Sequence, residues 1–295
     1  MRVAVIGLGN IGGGVAQNLC AAGHDVRVAD LDADKVSAAC DHGAVAASTA
    51  TDAVAGAEVV FTSLPGPPQI TAVADEILGA MSPGVAWFEL STNDPSTFVG
   101  LRERAAEGGV EMIDAPVSGG PEGATAGTLS IFVGAPQADS ARFGGLLGDI
   151  GEAIYFLGPA GAGIATKIAQ VMLCYTQTVT LIESMLLGAK AGVDPETMLD
   201  VIVNSAGTSY SATAYGPEIL AGTYDASFPL SHAAKDLRLA MELAESVGAE
   251  LPFTASVAEL YDRAEVEYGS TAAHCLAAQL IERQNNHVLS KGATT

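Results

Sequence analysis

Arg2-Val3-Ala4-Val5-Ile6-Gly7-Leu8-Gly9-Asn10-Ile11-Gly12 is the stretch that decides the fold. A short apolar run enters a G-x-G-x-x-G turn, and Val15-Ala16-Gln17-Asn18-Leu19 follows as a helix. In a strand–turn–helix unit the first glycine permits the tight turn. The second lets backbone approach a pyrophosphate, and the third lets the helix pack close to the strand. The helix N-terminus offers unpaired N–H groups and a positive dipole end. Gly7, Leu8, Gly9, Asn10, Ile11 and Gly12 are therefore candidate dinucleotide-binding residues. An acid, Asp30, lies 18 residues after Gly12, at the end of the next strand-like run. A carboxylate there can accept both ribose hydroxyls of an adenosine and would repel a 2′-phosphate. Leu31 and Asp32 follow it rather than Arg or Lys, so NAD is favoured over NADP. The competing reading makes the turn a packing device and Asp30 a loop residue or a helix cap.

Outward from this unit, β-like runs alternate with helix-like stretches to about residue 160. The runs are 2–7, 25–30, 58–64, 85–90, 110–117, 129–133 and 153–157. Several are nearly continuous apolar blocks, as strands buried on both faces of a parallel sheet require. The alternation predicts an α/β Rossmann domain, doubly wound around a mostly parallel sheet, over residues 1–160. After Gly158-Pro159-Ala160-Gly161 the texture changes. From Gly163 to about Ala191 one long stretch carries apolar residues at helical spacing: Ile164, Ile168, Val171, Met172, Leu181, Met185 and Leu186. Asp194-Pro195 reads as the N-cap and first turn of a new helix. Further helices are expected at 196–203, 230–247, 252–268 and 272–284. The predicted second domain, 161–290, is all-α and begins with the long interdomain helix; 291–295 reads as a frayed tail. No internal repeat or low-complexity segment is visible.

Composition narrows the function. Lys plus Arg is 13 against 34 Asp plus Glu, a net charge of −21. Nucleic acid or an anionic membrane surface would be repelled, so neither is expected as a partner. Hydrophobic residues make up 49% and charged residues only 16%, the balance of a globular chain with a large core. Cys20, Cys40, Cys174 and Cys275 are far apart, with no C-x-x-C and no Cys/His cluster. No metal site is expected, and reduced thiols point to a cytoplasmic protein. No uncharged apolar run approaches the ~20 residues of a spanning helix. The first apolar run breaks at once into glycines, so the N-terminus is expected to be part of the fold rather than an export signal.

Two further features carry chemistry. Asp114-Ala115-Pro116-Val117-Ser118-Gly119-Gly120-Pro121-Glu122-Gly123-Ala124 follows a strand-like run. Ser118 with Gly119 and Gly120 can form an anion-binding concavity suited to a small carboxylate; a bare S-G-G is otherwise a tight loop. Lys167 falls one turn into the long helix, on the same stripe as Ile164, Ile168 and Val171. A half-buried lysine has a lowered pKa and can act as general acid/base. On spacing alone, a lysine snorkelling to the surface is the better fit.

Taken in order, Gly7–Gly12, Leu64-Pro65, Ser91-Thr92, Asp114–Ala124 with Gly127-Thr128-Leu129, Gly161-x-Gly163-x-x-x-Lys167 and Lys235-Asp236-Leu237 resemble the β-hydroxyacid dehydrogenase family, of the 3-hydroxyisobutyrate dehydrogenase and tartronate semialdehyde reductase type. The resemblance spans about residues 1–265. It implies reversible oxidation of a 3-hydroxy acid to a 3-oxo acid with NAD(P), and a homodimer or homotetramer. It also implies roles. Lys167 is the catalytic acid/base, and Ser118, Gly119 and Gly120 hold the substrate carboxylate. Leu64, Pro65 and Thr92 line the cofactor, and Lys235 reaches the cleft from the helical domain.

Three departures stand out. Gln170 and Val171 occupy places where the family commonly has Asn, and Gln170 is the candidate substrate-binding amide. Gln69 replaces an Asn after the Leu-Pro and is the candidate cofactor-binding residue there. Gly66-Pro67-Pro68 is an unusual loop. They leave two rival readings: a same-fold reductase of an imine or a larger semialdehyde, and a dinucleotide-binding sensor without turnover. Imine-reducing relatives generally lack the lysine, which favours the 3-hydroxy acid reading.

Overall fold

The computed structural model describes residues 1–137, 141–224 and 228–290, so the expected frayed tail at 291–295 lies outside the described residues. Val3, Ala4, Val5 and Ile6 are buried and form β1 (Arg2–Ile6). It pairs in parallel with β2 (Asp25–Ala29) on one side and β4 (Val59–Thr62) on the other. β3 (Val45–Ala46), β5 (Ala86–Glu89) and β6 (Glu111–Asp114) complete a parallel sheet in the order β3-β2-β1-β4-β5-β6. Every residue of β4 and β5 is buried, which is why these runs read as unbroken apolar blocks. The strand order reverses between β1 and β4. In an open α/β sheet, that crevice at the carboxyl ends is where ligands bind.

Connecting helices include α1 (Gly12–Ala21), α2 (Ala33–Asp41), α3 (Ala50–Val54), α4 (Pro67–Ile77), α5 (Pro95–Glu107), α6 (Gly120–Ala126) and α7 (Gly144–Gly148). Local chemistry sets their starts. Asp32, Thr49 and Asp94 each accept a backbone N–H as N-caps, and Pro67 and Pro95 sit in first turns where a missing N–H costs nothing.

Two readings of the strands need correction. The run 110–117 is two strands, not one: β6 ends at Asp114, and β7 (Val117–Ser118) joins a separate sheet. Pro116, lacking an N–H, breaks the ladder between them. That second sheet holds β7, β8 (Leu129–Val133) and β9 (Gly151–Phe156), with β7–β8 antiparallel and β8–β9 parallel. The short β3 also escapes the sequence pattern, because both its residues are exposed.

α8 (Ala162–Lys190) is a single helix of 29 residues. By length and composition it could cross a membrane, but it carries Lys167 and Glu183, and half of its most apolar window is buried within the chain. The chain divides into two compact units, Met1–Lys167 and the part from Ile168 onward, inside this helix. The second unit contains α9 (Pro195–Val203), α10 (Gly216–Ala221), α11 (Leu230–Val247), α12 (Pro252–Tyr268) and α13 (Ala277–Gln284). Among its described residues there is no strand, only an isolated bridge between Pro229 and Ala273. Asp194 caps α9 by accepting the Thr197 N–H at 3.0 Å. α10 went unread because its six residues are too few to show a period, and 272–284 is a 3-10 turn at His274–Leu276 before α13.

The start of α8 is pinned to the sheet. A Cβ on Gly163 would lie 2.1 Å from the Phe132 carbonyl oxygen and 2.9 Å from the Asp114 carboxylate. Gly163→Ala should therefore cost about 1–3 kcal/mol, the usual range for overpacking. Urea unfolding measures it, and an unchanged midpoint would contradict the close approach.

Candidate functional site

The glycine turn has the shape its three tasks require. Gly7 has φ +85°, and a Cβ there would sit 2.2 Å from the Ser63 carbonyl oxygen. A Cβ on Gly12 would meet the Gly7 carbonyl oxygen at 1.9 Å, so α1 leaves the sheet in direct backbone contact with β1. Gly9 has nothing within 4 Å: its face is open for a ligand to approach. α1 begins after Ile11, and no side chain caps its N-terminus, where an anion would be favoured. Asp30 closes the other side. Its Oδ2 accepts the Leu8 N–H at 2.6 Å and its Oδ1 accepts the Asp32 N–H at 2.9 Å. The carboxylate is thus fixed against the glycine turn, half-buried, with a fully exposed Leu31 beside it. Asn10 is exposed. These features fit a dinucleotide: an open second glycine, an uncapped helix start and a fixed acid at the end of β2.

Past the switch point, the carboxyl ends of β4 and β5 carry the other candidate cofactor residues. Leu64 and Thr92 are half-buried and Pro65 is exposed. Gln69 lies on the exposed side of α4. Beneath them runs a buried polar chain. Trp87 Nε1 donates to Thr62 Oγ1 (2.7 Å), and Thr62 Oγ1 donates to Glu89 Oε2 (2.5 Å). The Ser91 N–H donates to Glu89 Oε1 (2.8 Å), and the Leu64 N–H donates to Ser91 Oγ (2.7 Å). In the same segment the Nδ2 of buried Asn93 has no hydrogen-bond partner.

The candidate carboxylate cradle, Ser118-Gly119-Gly120, follows β7 of the second sheet. Ser118 ends β7, and Gly119 and Gly120 follow with φ +129° and +64°, values that favour glycine. They lead into α6, which starts without a side-chain cap. α6 is locked to α1. A Cβ on Gly14 would lie 2.6 Å from the Ala124 carbonyl carbon, and Asn18 Nδ2 donates to the Ala124 carbonyl oxygen at 2.7 Å. The dinucleotide turn and the cradle therefore sit on two helices in backbone contact.

Lys167 is half-buried, one turn into α8. Val171, one turn further, is buried, while Gln170 is exposed. Asp114 fixes the start of this helix: its Oδ1 accepts the Gly161 N–H at 2.9 Å and its Oδ2 the Ile164 N–H at 3.0 Å. In the second unit Lys235 is not a free surface charge. Its Nζ lies 2.8 Å from Asp236 Oδ1, its side chain is 21% exposed, and Tyr175 Oη donates to Asp236 Oδ2 at 3.1 Å. No group of three or more His, Cys, Asp or Glu side chains placed to hold a metal occurs among the described residues.

Sequence reasoning overlooked Asp114 and Glu89 as functional groups, although both carry the same signal: an acid closing an apolar strand at the ligand end of a parallel sheet. Asn18 and Asp236 gave no comparable signal.

Comparison with known proteins comes from three directions. Residues 2–158 match the family described as the NAD binding domain of 6-phosphogluconate dehydrogenase. Residues 161–281 match the family described as NAD-binding of NADP-dependent 3-hydroxyisobutyrate dehydrogenase. The 2-(hydroxymethyl)glutarate dehydrogenase of Eubacterium barkeri is 35% identical over 266 residues, 89% of this chain and 88% of that protein. The 3-hydroxyisobutyrate dehydrogenase of Pseudomonas aeruginosa is 35% identical over 269 residues, 88% and 90% of the two chains. The solved structure of Mycobacterium tuberculosis 3-hydroxyisobutyrate dehydrogenase with L-serine superposes with a TM-score of 0.86 at 29% identity, covering 95% of this chain and 98% of that one.

Burial pushes the Glu89 carboxyl up from 4.5 to about 7, against hydrogen bonds from Ser91 and Thr62 that favour its charged form. The fold therefore binds the protonated acid better. That stabilisation is fully present below about pH 4.5 and is lost as the pH rises through about 7. Relative to Glu89→Gln, the wild type should lose about 2.5 kcal/mol of unfolding free energy on going from about pH 5 to about pH 8. Denaturant titrations at the two pH values measure this, and parallel pH profiles for the two proteins would contradict it.

Proposed function

The chain belongs to the β-hydroxyacid dehydrogenase family, and from that premise we propose that it interconverts a small 3-hydroxy acid and its 3-oxo acid or semialdehyde, with NAD preferred. The observation that carries this reading is the joining of an open glycine turn, an S-G-G cradle and a lysine-bearing helix to the ends of one sheet framework. A bound nicotinamide supplies the hydride acceptor in oxidation and the donor in reduction. The chain supplies the rest. Ser118 and the backbone of Gly119 and Gly120 bind the substrate carboxylate. Neutral Lys167 takes the hydroxyl proton in oxidation, and its ammonium returns a proton to the forming alkoxide in reduction. Leu64, Pro65, Gln69 and Thr92 serve the cofactor at the ends of β4 and β5. Lys235 is assigned to the cofactor as well, and Gln170 to the substrate.

Asp30 supports NAD: its carboxylate is fixed beside the glycine turn, where a 2′-phosphate would meet like charge, with Leu31 in place of a cation. The second family match bears NADP in its description, so this preference rests on Asp30. The four cysteines lie far apart in the sequence, and reduced thiols fit a cytoplasmic protein. A homodimer or homotetramer, as the family resemblance implies, is part of this proposal.

Lys167→Ala should lower kcat by about 10²–10⁴-fold while dinucleotide binding persists. Steady-state rates beside a binding titration test it, and near-wild-type turnover would remove Lys167 from the chemistry. In Asp30→Ala the ratio of kcat/KM with NAD to that with NADP should fall by roughly tenfold or more, since one lost charge or hydrogen-bond effect of ~1.4 kcal/mol is tenfold. A wild type that already prefers NADP would defeat the Asp30 argument.

A further inference from the structure

We propose that Glu89 is a positioning residue for the dinucleotide: its buried carboxyl holds Ser91 and, through Ser91, the Leu64-Pro65 turn, so that the ends of β4 and β5 form one wall for the nicotinamide half. This rests on the dinucleotide reading above. The sheet order assigns the halves. Gly9 and Asp30, at the ends of β1 and β2, mark the pyrophosphate and adenosine side. The other half of the cofactor then lies past the switch point, over β4 and β5.

At that side both strands end in turns whose polar groups converge on one side chain. β4 ends at Thr62, whose hydroxyl donates to Glu89 and accepts from Trp87. Beyond it, the Leu64 N–H finds its partner in the Ser91 hydroxyl. β5 ends at Glu89 itself, and the Ser91 N–H folds back onto its carboxyl. Thr62 and Trp87 are wholly buried, Glu89 is 1% exposed and Ser91 6% exposed, so water does not replace these partners. An apolar side chain at 89 would fill the space with no charge to bury, but it would take the acceptor from both the Thr62 O–H and the Ser91 N–H. The acid ties two adjacent turns into one unit, and Thr92 follows directly from the tied residue. Burial holds the carboxyl near 7 rather than 4.5, as expected of an acid retained at a cost in stability.

The test separates positioning from simple structural support. Binding of NADH (with NADPH in parallel) and of ADP-ribose, which lacks the nicotinamide, is measured on the full chain. The proteins are wild type, Glu89→Ala, Glu89→Gln and Ser91→Ala. Ser91→Ala cuts the link to Leu64 while the carboxyl keeps its bonds from Thr62 and from the Ser91 N–H, and it keeps the test decisive if Glu89→Ala fails to fold. Glu89→Ala and Ser91→Ala should weaken the reduced dinucleotide by about tenfold, and ADP-ribose by less than about twofold. Glu89→Gln should recover most of the lost affinity, because its amide still accepts from Ser91 and can donate to Thr62. Equal losses for both ligands would make Glu89 a structural residue only, and unchanged dinucleotide affinity in both variants would equally overturn the proposal. A wild type that binds none of these ligands would instead overturn the dinucleotide reading itself.

Discussion

The carboxylate of Asp114 is the constraint on which the candidate site depends. It closes β6 and accepts the N–H groups of Gly161 and Ile164, so the first turn of α8 begins on a buried acid at the ligand end of the sheet. An anion at a helix N-terminus is favoured by the helix dipole and by the orphan N–H groups it satisfies. Burial pushes the Asp114 carboxyl up even so, with the hydrogen bonds from Gly161 and Ile164 opposing that shift. The close approach fixes composition around it: a Cβ on Gly134 would lie 2.1 Å from Asp114 Oδ1, and Gly163 is held as tightly. Lys167 follows one turn later. Its place at the end of the sheet is thus set by an acid, two glycines and a strand rather than by a flexible loop. The opposite ends of the site are fixed by the same means, through backbone contact at Gly7, Gly12 and Gly14.

Much of this was legible because the constraints are steric. G-x-G-x-x-G after an apolar strand admits few structures, and the gaps at Gly7 and Gly12 show why. The buried strands read correctly because parallel strands are apolar on both faces. Helices α11 and α12 were legible over their full length from periodicity and their flanking residues. Short elements failed for a physical reason: β3, with two exposed residues, and α10, with six residues, hold too little pattern. The break at Pro116 was overlooked because Val110 to Val117 reads as one β-like run despite Glu111 and Asp114, and hydropathy cannot show a chain passing from one sheet to another.

The polar interior was least legible. Glu89, Asp114 and Asp236 are acids in a chain with an excess of them, and nothing in composition separates buried from solvated ones. Only the structure shows that these three have tasks: one ties strand ends, one starts α8, and one holds Lys235. The net charge of −21 is set mainly by exposed acids. Against that background, the features proposed to receive anions are backbone N–H groups, glycine turns and two lysines. Such a site takes small anionic ligands while the surrounding surface disfavours large polyanions.

Lys167 sits half-buried one turn into a helix pinned by Asp114, with Gln170 exposed and Val171 buried after it. The most direct measurement is absorbance of the reduced nicotinamide as the protein is offered small 3-hydroxy acids with NAD and with NADP, and the matching semialdehydes with the reduced cofactors. Turnover of at least one such pair, faster with NAD than with NADP, is the expected result. Tight binding of the dinucleotide without hydride transfer to or from any of these substrates would contradict the proposed reaction.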